Sequence, residues 1–347
     1  MTDKAQIMKK STHVLIVGAG ISGLIAAREL KRNGYKVLVL DKGRGLGGRM
    51  ATRRMGGARL DHGAQFMTTR QPAFAAIVDE ALAAGVLRTW FQHGVQDRDP
   101  AGHPRYCGVH GMTDLPKYLA SDLEVLGSHR VCTLRRDASR WQAEVTDGGL
   151  FEAEHLVLTA PLPQALELLA TTELDLLGAD AAGLQAIEYE KGLATLALLD
   201  GPSGIPHAGA LPLSTAPLSW IGDNTQKGIS PEVSAVTLHA DAAFAAKYWD
   251  APDSVRGPLM LEAAAPYLKS NVTEYSCHRW GFTLPKNPWH ALCYHQPEMG
   301  LTLDMKVVGF DPALSVEAAW RLSSQVKKAD SLSALFARCD YISLHLP

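Results

Sequence analysis

The stretch from residue 13 to residue 41 constrains this chain more than any other. His13 to Val17 (HVLIV) is a short apolar run rich in β-branched residues, the pattern of a buried strand. Gly18-Ala19-Gly20-Ile21-Ser22-Gly23 follows without a gap. A helical stretch then runs from about Ile21 to Arg32, with Leu24, Ala27, Leu30 and Lys31 at helical spacing. Asn33-Gly34 supplies its stop, because glycine enters the left-handed region cheaply. Tyr35 to Leu40 (YKVLVL) reads as a second strand, and it ends in Asp41.

Strand, glycine turn, helix, strand and acid each have a physical task in holding a dinucleotide. Gly18 permits the tight turn. Gly20 lets the backbone approach a pyrophosphate, and Gly23 lets the helix pack closely on the strand. The helix start, with Ser22 in its first turn, offers free N–H groups and a partial positive charge to phosphate. Asp41 stands where it can accept hydrogen bonds from ribose hydroxyls. Glycine turns alone also occur in proteins that bind nothing; the two strands and the acid at this distance make the pattern specific. The expectation is an α/β chain with a Rossmann-like domain and a smaller α+β substrate domain. The fingerprint does not separate FAD from NAD.

Bulk properties set the outer bounds. A chain of 347 residues with 46% hydrophobic and 20% charged residues accommodates two domains and a large core. The net charge of −2 predicts no broad grip on nucleic acid or anionic lipid, although Arg44, Arg49, Arg53, Arg54 and Arg59 concentrate locally. Five scattered cysteines, with no CxxC pair, argue against a disulfide framework or a zinc site and suit a reducing, cytoplasmic setting. The N-terminus lacks the long apolar region of a secretory signal, and no apolar run is long enough to span a bilayer. No metal is expected.

The segments after the fingerprint carry a family resemblance. Asp41-Lys42-Gly43-Arg44-Gly45-Leu46-Gly47-Gly48-Arg49-Met50 resembles the second glycine-rich motif of flavin amine oxidases. Glycines such as Gly48 let that loop lie against the cofactor, and Lys42, Arg44 and Arg49 are its cations, with the Arg49 guanidinium suited to a pyrophosphate. Asp61-His62-Gly63-Ala64-Gln65-Phe66 resembles the segment that in this family runs beneath the flavin ring, which makes Ala64, Gln65 and Phe66 candidate cofactor contacts. His62 is read equally as a structural and as a catalytic histidine. Further on, Gly111-Met112-Thr113-Asp114-Leu115 resembles the family's Gly-Met helix start, and Val131 stands where the family meets adenine through backbone groups. Val131 to Leu134 and Trp141 to Val145 read as strands, with Asp147-Gly148-Gly149 as a turn; Leu156 to Ala160, Thr195 to Leu199 and Ala235 to His239 read as further strands, with a helix after Asp253. Trp220, Trp249, Trp280 and Trp289 are candidate cavity walls.

Residues 12 to 303 resemble the renalase-like members of the flavin amine oxidase superfamily, on VLIVGAGISGL, LVLDKGRGLGGRM, LDHGAQF, GMTDLPKYLA, HRWGFTLP and QPEMGLTL. That resemblance implies FAD as cofactor. It implies oxidation of 2- or 6-dihydro isomers of NAD(P) by hydride transfer to flavin N5, with oxygen as final acceptor. A small-molecule substrate and oxygen are then the partners, and His62 and Trp280 are the candidates near the reacting atoms. Two alternatives stand beside it: another flavin amine oxidase or desaturase, and a flavin-deficient non-enzyme. The implied division gives the FAD-binding domain residues 1–75, 106–165 and 276–303, and the substrate domain residues 76–105 and 166–275. Residues 304–347 depart from the family, which would continue with a Gly-Asp turn and a helix. Met305 to Phe310, Asp311 and Tyr341 to Pro347 are instead similar to a strand, the ribose acid and a later strand of D-2-hydroxy-acid dehydrogenases such as D-3-phosphoglycerate dehydrogenase.

Overall fold

A computed structural model of the chain describes residues 9–304 except 70, 93–102, 138, 173, 174, 291 and 292. The expectations for Met305 to Phe310, Asp311 and Tyr341 to Pro347 fall outside the described residues.

The first unit is β1 (Lys9–Val17), α1 (Ile21–Arg32) and β2 (Val37–Leu40). The two strands pair in parallel, from Val14 opposite Val37 to Val17 opposite Leu40. Val14, Leu15 and Ile16 are fully buried because a parallel sheet is covered on both faces. β1 begins four residues before the apolar run, at Lys9, since its polar start pairs with a neighbouring strand. Lys31 and Arg32 close α1 where its dipole is negative.

A hairpin follows, β3 (Thr52–Met55) and β4 (Ala58–Asp61), turning on Gly56 and Gly57 at positive φ. α2 (Pro72–Ala83) leads to an antiparallel ribbon of β5 (Leu87–Phe91) and β6 (Arg105–Gly108). α3 (Asp114–Leu119) then precedes β7 (Glu124–Leu126), which joins β2 in parallel. β8 (Val131–Asp137), β9 (Arg140–Val145) and β10 (Leu150–Leu158) form a meander, and Asp147-Gly148-Gly149 is the turn from β9 into β10. β10 lies parallel to β1 along its whole length.

α4 (Leu162–Leu169) and α5 (Ala181–Gln185) carry the chain to a second sheet. Its strands are β11 (Gly192–Leu199), β12 (Ala210–Pro212), β13 (Leu218–Asp223), β14 (Ala235–Ala240) and, after α6 (Ala242–Lys247) and α7 (Asp253–Ala264), β15 (Val272–Trp280). They pair antiparallel in the order β12-β13-β14-β11-β15. β15 keeps pairing with β11 as far as Trp280 opposite Gly192, so this strand runs across the sequence-based division at 275/276. The chain then returns to the first sheet with β16 (Cys293–Gln296) and β17 (Leu301–Asp304), the latter parallel to β10.

Apolar side chains knit these layers together. One core lies under α1, α2 and α3, and a second, around Trp141 and Phe151, covers the opposite face of the first sheet. A third lies between α6, α7 and the second sheet. A small fourth core joins the β3-β4 hairpin to the second sheet: Ala58 and Leu60 pack on Leu196, Leu198 and Ala235.

Candidate functional site

At the C-terminal ends of β1 and β2 the backbone turns sharply enough to leave a crevice. Gly18 has φ +118°, a conformation open to glycine. A Cβ on Gly23 would collide with the Gly18 carbonyl oxygen, so glycine at 23 is what allows α1 to sit on β1. A Cβ on Gly20, by contrast, would meet nothing within 4 Å. Gly18 thus serves the turn and Gly23 the packing of helix on strand, and of the three glycines only Gly20 faces open space. α1 starts there with no side-chain cap and no acidic residue in its first turn, so its N–H groups and dipole are unquenched. Ser22 is buried in that turn.

Asp41 binds the glycine loops to one another. Its Oδ2 accepts the Ala19 N–H at 2.6 Å and its Oδ1 the Gly43 N–H at 2.6 Å. The Gly47 N–H donates to the Ala19 carbonyl at 2.9 Å, which brings the second glycine loop against the first. Gly48 is exposed beside Gly20 at φ +54°. Asp41 also receives the chain before Val131: its N–H donates to the Leu126 carbonyl and its carbonyl accepts from His129. Val131 itself is buried at the start of β8.

Arg49 extends this rim. Its guanidinium donates to the carbonyls of Phe282 at 3.1 Å and Thr283 at 3.3 Å. Among the described residues no carboxylate lies within ion-pair distance of it. Burial lowers its proton affinity, offset in part by Asp304 and Tyr189, yet an arginine stays charged. Lys42 and Arg44 are exposed, and Lys42 donates to the Gln164 side chain at 2.9 Å.

The segment from Asp61 to Phe66 crosses from the first sheet to the second. The Ala64 N–H donates to the Arg49 carbonyl, and a Cβ on Gly63 would strike that carbonyl and come within 3.2 Å of the Trp280 ring. Gln65 is fully buried and turned back on its own loop, donating to the carbonyls of Asp61 at 2.7 Å and Gly63 at 3.1 Å. Phe66 packs edge-on against Trp90 and Phe91 and tilts against Trp220. Gln65 and Phe66 thus face the second sheet, whereas Ala64 stays with the glycine loops.

A buried ion pair holds this crossing segment. The Lys227 ammonium lies 2.6 Å from Asp61 Oδ2 and also donates to the Gln65 carbonyl, and both charged side chains are essentially inaccessible. Asp61 Oδ1 accepts from Thr52 and from the Met112 N–H, at 2.5 and 2.9 Å. Asn224 accepts the Asp61 N–H and donates to Thr237, whose hydroxyl donates to the Asp61 carbonyl at 3.0 Å. The charge of Asp61 is therefore fully compensated inside the protein.

On the other side of the segment three rings meet. His62 stacks on Trp280 with centroids 5.1 Å apart and meets His278 edge-on at 4.6 Å. His278 and Trp280 are 4.4 Å apart, and the Trp280 indole N–H donates to the His62 carbonyl at 2.8 Å. Burial pushes His62 down to about 3, helped by the positive charge of Arg53 and by His278. Burial lowers His239 to about 4, and His278 is lowered by burial and Arg53. All three imidazoles are neutral at physiological pH, and the buried Nδ1 of His62 has no protein partner.

The other tryptophans have different neighbours. Trp220 joins Trp90 and Phe66, Trp249 lies under Lys191 and Arg279, and Trp289 packs on Tyr294. Sequence reading named His62 and Trp280 as candidates and Arg53 only within a local concentration of basic residues, and it gave no role to Asp61, Lys227, Asn224 or His278. Asp61 stood in a quoted motif; a lone lysine in a polar loop gives no signal of its own.

Comparison with known proteins agrees with this architecture. Residues 16–81 match the NAD(P)-binding Rossmann-like domain family, and residues 87–192 match flavin containing amine oxidoreductase. The chain is 25% identical to mouse (Mus musculus) renalase over 292 residues, covering 78% of this chain and 85% of that protein. It is 44% identical over 71 residues to an L-amino acid dehydrogenase of Synechocystis, a stretch that is 20% of this chain and 15% of that protein. Among solved structures, a putrescine oxidase variant superposes with a TM-score of 0.61 at 16% identity, covering 78% of this chain and 84% of that one. Reduced UDP-galactopyranose mutase superposes with a TM-score of 0.61 at 13% identity, covering 80% and 84%. Both likenesses concern the fold. With the Rossmann-like unit, the separate antiparallel sheet and the renalase match together, the chain has the fold of flavin amine oxidases and is similar to renalase and to flavin containing amine oxidoreductases.

Proposed function

We propose that this protein is an FAD-dependent oxidase of dihydronicotinamide dinucleotides, acting on the 2- or 6-dihydro isomers of NAD(P) with oxygen as the final acceptor. The family implies FAD, and the residues present fit it. Gly20 faces open space at an uncapped helix start, and among the described residues Arg49 has no carboxylate within ion-pair distance. Those are the needs of a diphosphate. When bound, FAD supplies the hydride acceptor and the reductant of oxygen.

The observation that carries the choice of substrate is the electrostatic character of the crossing segment. Its carboxylate, Asp61, is consumed by Lys227, Thr52 and the Met112 amide. The rings on its other side are neutral and lie in the positive field of Arg53. An ammonium substrate would meet a surface that repels it. A neutral dihydropyridine on an anionic dinucleotide suits it better. A dihydropyridine is already a good hydride donor, so the protein needs to orient its ring more than to remove a proton. The flat faces of His62 and Trp280 are suited to that task.

The test is anaerobic mixing of the flavin-loaded protein with β-, 2- and 6-dihydro-NAD and with putrescine. Rapid bleaching of the flavin absorbance by the 2- or 6-isomer is expected. Bleaching by the amine alone would sink the proposal.

A further inference from the structure

Lys227 stands in the connection between β13 and β14, and that connection is fixed from several sides. Asp223 Oδ1 accepts the N–H groups of Thr225 and Gln226 at 2.8 and 2.9 Å. The Lys227 N–H donates to the Asp223 carbonyl at 2.8 Å, and the Lys227 carbonyl accepts from the Arg88 guanidinium of β5. From this base the side chain runs inward and is fully buried. Its ammonium donates to Asp61 Oδ2 at 2.6 Å and to the Gln65 carbonyl, and it lies 4.7 Å from the centre of the Trp90 ring. A carboxylate, a carbonyl and a ring face together suit the three N–H donors of an ammonium.

The two oxygen partners are the two ends of one short segment. Asp61 has further anchors in Thr52, Met112, Asn224 and Thr237. The Gln65 end is tied to Asp61 by Lys227 and by the Gln65 side chain, which donates back to the Asp61 and Gly63 carbonyls. Between the ends lies an apex, His62-Gly63-Ala64. On one side the Ala64 N–H donates to the Arg49 carbonyl at 2.9 Å, and on the other the Trp280 indole donates to the His62 carbonyl at 2.8 Å. A Cβ on Gly63 would lie 2.0 Å from the Arg49 carbonyl oxygen, so the apex has no slack there. Arg49 of the crevice and the ring cluster at Trp280 are thus joined through three residues of backbone.

We propose that Lys227 is a positioning residue for the flavin reaction: it clips Asp61 to the Gln65 carbonyl and so fixes the apex that joins Arg49 to the ring cluster. This rests on the reading above and gives the buried pair a role beyond stability. Being inaccessible, Lys227 acts through the segment and not on a ligand. Hydride transfer is sensitive to alignment, and a displacement of about 1 Å costs on the order of a hundredfold in rate. Loss of the clip therefore falls on the rate of the step, while binding of the substrate is largely kept.

The experiment compares the wild type with Lys227→Met, Lys227→Arg and the double variant Lys227→Met/Asp61→Asn. The double variant leaves neither charge unpaired in the interior but still lacks the clip on Gln65. The first readout needs neither flavin nor substrate: amide hydrogen exchange of a peptide spanning residues 61–67 in flavin-free protein, with β1 as the reference. Relative to β1, exchange of this peptide is expected to quicken about tenfold or more in Lys227→Met and in the double variant. The second readout is reduction of bound flavin by the reactive dihydronicotinamide isomer in rapid mixing. The limiting rate is expected to fall about tenfold or more in both variants, with the substrate Kd changed by less than about threefold. Lys227→Arg keeps the charge and the donors, and should lie between these and the wild type. If the double variant regains wild-type exchange and limiting rate along with stability, the pair only holds the fold together and the proposal is overturned. If no isomer reduces the wild-type flavin, the substrate reading falls and the exchange readout decides on Lys227: faster exchange in the variants supports the clip, and exchange equal to wild type overturns it.

Discussion

At the scale of single residues, the glycines of the fingerprint separate binding from folding. Gly20 has free space where a side chain would go, whereas Gly23 has a backbone carbonyl there. Gly20→Leu is therefore expected to fold with near wild-type stability and to purify without flavin colour, because its side chain fills the approach to the diphosphate. Gly23→Leu should lose about 1–3 kcal/mol or more of stability through overpacking. Absorbance at the flavin band and chemical denaturation check the pair, and a yellow Gly20→Leu protein would contradict the assignment. His62 gives a second prediction at this scale. Its folded value of about 3 lies below the ordinary 6.5. The stability this contributes is fully present above pH 6.5 and is lost as pH falls toward 3, since the unfolded chain binds a proton that the folded one refuses. His239 and His278 act with the same sign. Unfolding free energy should decline below pH 6.5, and His62→Gln should remove up to about 1.4 kcal/mol per pH unit from that slope. Equal slopes in both proteins would show that His62 takes up its proton in the folded state.

At the scale of elements, the opening β1-α1-β2 unit was legible because its signals are local. An apolar run, a glycine turn and a helical period sit within thirty consecutive residues or so, and each acts on its immediate neighbours. Asp41 was read as a ribose acid; in the folded chain its oxygens also fasten the Ala19 and Gly43 amides, a contact no spacing rule encodes. Lys227 was invisible for a different reason. It meets Asp61 across 166 positions, and His62 meets Trp280 across 218, so each pair exists only once both sheets are assembled. Gln65 and Phe66 are candidate flavin contacts from their motif; the hydrogen bond of Gln65 to Asp61 and the ring contact of Phe66 with Trp220 are further contacts that the motif does not encode. The ion pair predicts its own energetics. Lys227→Met leaves Asp61 charged and buried, and should cost about 3–5 kcal/mol of stability. The double variant Lys227→Met/Asp61→Asn should recover part of this loss. Denaturant titrations of the three proteins give the coupling, and purely additive losses would mean that the pair does not act as a unit.

At the scale of the whole molecule, the two sheets meet where chemistry is proposed. The β3-β4 hairpin belongs to neither sheet and packs Ala58 and Leu60 on the second, while its end at Asp61 delivers the segment to Arg49. β15 brings Trp280 back to the same place, and β17 then closes the first sheet against β10. A ligand bound at the glycine crevice and a substrate at the ring cluster would thus contact both layers. Everything downstream depends on the crevice accepting a diphosphate. The measurement is calorimetric titration of flavin-free protein with FAD and with riboflavin, which share the ring and differ in the diphosphate and adenosine. FAD is predicted to bind one per chain and about a hundredfold or more tighter than riboflavin, with most of that advantage lost in Arg49→Ala. Equal affinities for the two flavins, or no binding of FAD, would contradict the account.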